Sequence, residues 1–99
     1  MPDSVGEAIR RARETMAELR ALGEEVADEW QYVVDLEAGW NARLDVVAAA
    51  RGGEGVSPSA SNAIDRAAAE TRLIVDPHRA IDWLSTFPQV VLLALDEPA

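Results

Sequence analysis

The chain has no cysteine, and all nine of its basic residues are arginine, so lysine is missing as well. Without cysteine there are no disulfides, no thiolate chemistry and no cysteine-based zinc site. Aromatic residues make up only 5% of the chain, and histidine occurs once, as His78. A lone histidine without a Glu-x-x-His pair leaves the usual structural zinc and di-iron arrangements unsupplied. Long apolar runs are also lacking. The longest, Val90 to Leu95, falls far short of the ~20 residues that span a bilayer, and Val5 to Arg20 is amphipathic and charged rather than basic-then-apolar. A soluble, cytoplasmic protein with no membrane partner is the expectation. Nine bases stand against 18 acids, a net charge of −9. That balance disfavours nucleic acid, whose binding draws on many cationic contacts to phosphates.

What is present is an ordinary globular balance, 48% hydrophobic and 27% charged in 99 residues, enough for one domain with a modest core. The organising feature runs from Asp3 to Arg51, where apolar or small residues recur at alternating steps of four and three. Val5, Ala12, Leu19, Val26, Val33, Trp40 and Val47 form one row. Ile9, Met16, Gly23, Trp30, Glu37, Leu44 and Arg51 form the other. This periodicity predicts a long helix over 4–51, a rod of about 70 Å. Gly23 does not interrupt the repeat and costs only about 1 kcal/mol inside a helix, so the helix is expected to continue through it. Leu22, Leu36, Ala27, Val34 and Ala48 widen the stripe beyond a two-stranded coiled-coil seam, which suits a helical bundle better.

Helix starts are well marked. Asp3 or Ser4 can cap the first, with Glu7 closing a capping box, and Ser57-Pro58 and Asp76-Pro77 are N-cap and N1 pairs for two more. The glycines of Gly52-Gly53-Glu54-Gly55 are expected to end the first helix in a left-handed cap, and without lysine this loop is no phosphate cradle. The fold class is therefore all-α: a long helix over 4–51 with shorter helices over 58–73, 77–85 and 88–95 folding back on it, completed by a second chain. Pro88 separates the last two, and for 88–95 helix is preferred to strand because no second strand exists to pair with it.

The candidate functional residues lie on the first stripe. Trp30 and Trp40 are about 15 Å apart on one face with Glu37 between them. The carboxylate there is expected to meet Arg66, Arg72 or Arg79 from another helix; alternatively, two indoles and a carboxylate line a small-molecule pocket. Arg10, Arg11 and Arg13 are spaced for intrahelical pairs with Glu7 and Glu14. Residues 23–39 carry Glu24, Glu25, Asp28, Glu29, Asp35 and Glu37 with no base: a solvated acidic face first, a dock for a basic protein partner second, and a divalent-cation site last. A two-helix magnesium site takes two acidic i, i+3 pairs, and only Glu25 with Asp28 offers one. No nucleophile motif is present. Catalysis, cofactor and metal are accordingly not expected. The shorter helices are too short to cover a 70 Å rod, so Ile9, Met16, Leu19, Leu22, Val26, Trp30, Glu37 and Trp40 form the expected interface of a non-enzymatic homodimer. The alternative is an acidic regulator that blocks a basic surface.

Overall fold

The computed structural model describes residues 4–24, 26 and 30–96, apart from the Trp30 side chain. Asp3 as a cap and the Glu25–Asp28 pair lie outside these residues. The described residues form an all-α bundle of four helices, α1 (Val5–Gly23), α2 (Trp30–Arg51), α3 (Pro58–Thr71) and α4 (Pro77–Leu95), with no β-strand. Their starts follow the capping chemistry. Ser4 Oγ accepts the Glu7 N–H at 3.1 Å, Ser57 Oγ the Ala60 N–H at 3.1 Å, and Asp76 Oδ1 the His78 N–H at 3.0 Å.

The long rod is not formed. Arg20 and Glu37 would stand about 26 Å apart on one straight helix. Instead the Arg20 Nε and Glu37 Oε2 atoms are 3.0 Å apart, Arg13 pairs with Asp45, and the Val5 N–H donates to the Glu54 carbonyl at 2.8 Å. Late α1 (Arg20) meets early α2 (Glu37), the middle of α1 (Arg13) meets the later part of α2 (Asp45), and the first residue of α1 (Val5) meets the loop just past the end of α2, so the two helices are antiparallel. The longest dimension of the molecule, 41 Å, also excludes a 70 Å rod. A repeat that keeps its phase fits one long helix and equally fits two helices that turn the same stripe toward one core. The second arrangement buries both halves within one chain. Gly23 ends α1 where α4 begins, and a Cβ there would lie 2.9 Å from Ile81 Cγ1. The close approach that Gly23 permits is to α4 of the same chain.

α1 is the central helix. Val5, Ala8, Ile9, Ala12, Met16 and Leu19 are buried, and they pack with Ala80, Leu84, Phe87 and Val91 of α4, Ala60, Ile64 and Ala67 of α3, and Val33 and Leu44 of α2. α4 is one helix, not two. Pro88 lies inside it and is fully buried together with Leu84, Phe87 and Val91. An interior proline costs about 3 kcal/mol, whereas burying each large apolar side chain returns about 1.5–3 kcal/mol, so packing overrides the local preference. α3 is joined to α4 by the Trp83 Nε1–H, which donates to the buried Thr71 Oγ1 at 2.6 Å; that hydroxyl donates in turn to the Ala67 carbonyl at 3.0 Å. Trp83 is half-buried and tilts against Phe87 with ring centroids 6.4 Å apart.

The α2–α3 loop closes the other end. Gly52 and Glu54 supply carbonyls to the Gly6 and Val5 N–H groups at 3.0 and 2.8 Å, and Ser4 accepts from Glu7 and Ala8, so the first four donors of α1 are all satisfied. No described glycine has a positive φ, so the expected left-handed cap is not formed. Glycine serves proximity here: a Cβ on Gly6 would sit 3.1 Å from the Gly52 carbonyl oxygen.

The hairpin makes a direct prediction. Arg20→Glu and Glu37→Arg should each lower stability by about 1 kcal/mol, a modest figure because both side chains retain solvent contact. The double reversal should recover at least ~0.5 kcal/mol in a denaturation double-mutant cycle. Strictly additive losses would mean that the two residues are not neighbours.

Candidate interaction surface

α2 differs from the other helices in how its apolar residues are distributed. Around α1, α3 and α4 they gather on one side, whereas α2 has no single apolar side, because Glu37 and Arg51 share the arc of its buried residues and Tyr32, Val34 and Val46 lie outside it. Its inner side buries Val33 and Leu44 and half-buries Leu36, Glu37, Trp40, Val47 and Ala48. On the outside, Tyr32 is 55% and Val46 69% exposed. α2 packs only against α1 and α4 and lies at the edge of the bundle, so its outer side is left uncovered within the chain.

Two further features mark this outer side. The Arg43 guanidinium lies over the Trp40 ring, 4.8 Å from its centroid, beside a shallow groove lined by Asp35, Leu36, Gly39, Trp40 and Arg43. Gly39 lies in the helix interior and is exposed, and a Cβ there would meet nothing within 4 Å. Gly23 and Gly6 are small because something in the chain approaches them. Gly39 costs about 1 kcal/mol of helix stability for no packing gain within the chain.

The residues expected at an interface are placed differently. Ile9, Met16 and Leu19 are at most 2% exposed inside the core, so in this fold they are closed to a second chain. Leu22, Val26 and Trp40 are half-buried, and the Trp30 side chain lies outside the described residues. Glu37 is paired across helices as expected, but with Arg20, a residue that a single straight helix placed out of reach. Its facing atoms lack the alignment of a hydrogen bond, so the pair is held by charge proximity. Arg10 pairs within α1 as expected, with Glu7 and with Glu14 at 2.7 Å, and its guanidinium holds the Glu7 carboxyl below its ordinary range. Arg13 instead reaches Asp45 on α2, and Arg11 approaches Asp65 on α3 at 4.0 Å.

A second cleft lies between α1 and α3, with Ile64 and Phe87 at its floor and Arg11, Arg72, Glu14, Glu18 and Asp65 around it. Its opposed charges sit beside one another, so it presents no field of one sign. Among the described residues no three His, Asp or Glu side chains gather as metal ligands would. The outer face of α2 was missed in the sequence because Tyr32, Gly39 and Val46 lie off the dominant stripe. The signal was their own seven-residue spacing.

The geometry thus defines an all-α bundle in which α2, at the edge, leaves Tyr32 and Val46 exposed on its outer side. Comparison with protein-family models, curated proteins and solved structures finds no match. The two sides of α2 should respond differently to substitution. Leu44→Ala should cost about 2–5 kcal/mol in chemical denaturation. The exposed substitutions Ala38→Ser and Ala49→Ser should stay within about 0.5 kcal/mol. Equal losses at all three positions would contradict the orientation of α2.

Proposed function

We propose that this chain is a non-enzymatic, cytoplasmic helical interaction protein that self-associates as a homodimer, using the outer side of α2. The supporting observation is that side itself: Tyr32 and Val46 are exposed on a helix whose inner side already fills the core. Leu73, Val75 and Leu93 are exposed as well, but among the described residues only on α2 do the exposed apolar residues flank an interior glycine, Gly39, with open space beside it. In addition, among the described residues no helix is long and apolar enough to cross a membrane, so a lipid bilayer is not a spanning environment for α2.

The net charge of −9 supports a second reading, docking to a basic protein surface, but it selects no particular face. A pocket formed by Trp30, Glu37 and Trp40 has less support, because Arg20 already occupies the carboxylate that would anchor a ligand. Light scattering at micromolar concentration separates these readings. Self-association predicts a mass near twice 10.7 kDa that persists at high salt, since its core is apolar. A monomer at all concentrations would overturn it.

A further inference from the structure

The outer face of α2 is self-complementary about Gly39. Asp35 and Arg43 are each four residues from this glycine, on opposite sides, and Tyr32 and Val46 are each seven residues away. An antiparallel copy of the helix, related by a two-fold axis through Gly39, brings residues whose numbers sum to the same value to the same level. Tyr32 then meets the partner's Val46, an aromatic against a β-branched side chain. Asp35 lies level with the partner's Arg43, and the reciprocal pair forms about 12 Å away along the axis. Opposite charges meet at both ends, and like charges are level at neither.

We propose that two copies of this chain dimerise by crossing their α2 helices antiparallel at Gly39, with Asp35 and Arg43 forming two symmetric charge pairs across the interface. The proposal rests on the self-association reading and gives it a site and an orientation. Three features converge on it. Gly39 has open space where a side chain would be, and two facing glycines let helix backbones approach closely. The groove beside it, lined by Leu36, Trp40 and Arg43, lies where the partner helix would rest. The charge arrangement favours an antiparallel second copy, because a parallel one would set Asp35 level with Asp35 and Arg43 level with Arg43. Asp35 accepts from the Gln31 amide one turn back at 2.9 Å and Arg43 covers Trp40, and both residues are exposed, so a partner can reach them.

The test uses the full chain in sedimentation equilibrium, with circular dichroism to confirm that each variant keeps its helices. Gly39→Leu should weaken the dimer at least ~10-fold while leaving the helices intact. Asp35→Arg and Arg43→Asp, each placing like charges level at both ends, should do the same. An equimolar mixture of the two charge variants should recover dimers, because one chain then carries two cations and the other two anions at the paired positions. Recovery on mixing supports both the axis and the antiparallel sense. A wild-type dimer indifferent to all three substitutions, or charge variants that stay monomeric on mixing, would overturn this interface and leave self-association standing. A wild-type monomer would overturn both and assign the face to a partner of different sequence.

Discussion

The fold depends on burying one apolar stripe of α1. Val5, Ile9, Met16 and Leu19 are almost fully enclosed, and the other helices are arranged to enclose them. Small residues set how closely they do so. Ala8 and Ala12 on α1, Ala60 and Ala67 on α3 and Ala80 on α4 are all buried, and their small side chains let the backbones approach closely. At its start, α1 hands the N–H groups of Val5 and Gly6 to carbonyls of the α2–α3 loop, and Ser4 takes those of Glu7 and Ala8. Packing and hydrogen bonding thus restrain the same helix. A chain of 99 residues has little stability in reserve, so both are needed.

Charge adds direction to this packing. α1 sends Arg20 and Arg13 to Glu37 and Asp45 on α2, and Arg11 toward Asp65 on α3. These pairs are partly or largely exposed, and each is worth little on its own. Their combined geometry matters more. Arg13 and Arg20 can meet Asp45 and Glu37 together only if α2 runs antiparallel to α1, so a parallel or slipped hairpin forfeits both contacts. In a protein of net charge −9, the arginines of α1 also offset acids that would otherwise repel across the bundle.

Local chemistry was legible in the sequence, and long-range topology was not. Ser4, Ser57-Pro58 and Asp76-Pro77 mark helix starts because capping is settled within one turn of chain. The apolar stripe likewise identified Val5, Ile9, Met16, Leu19, Val33 and Leu44 as residues to be buried. What buries them was hidden, because the heptad phase is the same for a rod and for a hairpin that share one core. Pro88 misled in the opposite direction. Its local preference argued for a helix end, but the gain from burying Leu84, Phe87 and Val91 is a tertiary quantity. The partner of Glu37 follows the topology: a single helix over 4–51 puts Arg20 out of reach, and the hairpin brings it to 3.0 Å. Tyr32, Gly39 and Val46 were visible as a weaker repeat behind the dominant one.

The hairpin also changes where a partner is needed. On a straight rod, the N-terminal half of the first helix would have been bare, and a second chain would have been required to cover Ile9, Met16 and Leu19. Folding back buries Ile9, Met16 and Leu19 within the chain and leaves α2 as an edge helix whose outer side, with Tyr32 and Val46, is uncovered. The two surfaces differ in character. The core stripe is continuous and would accept many apolar partners. The outer stripe is interrupted by Gly39 and edged by Asp35 and Arg43, so it combines modest apolar area with a charge pattern that tells one orientation from the other. A surface of that kind is poorly suited to indiscriminate adhesion and well suited to a partner whose own pattern mirrors it.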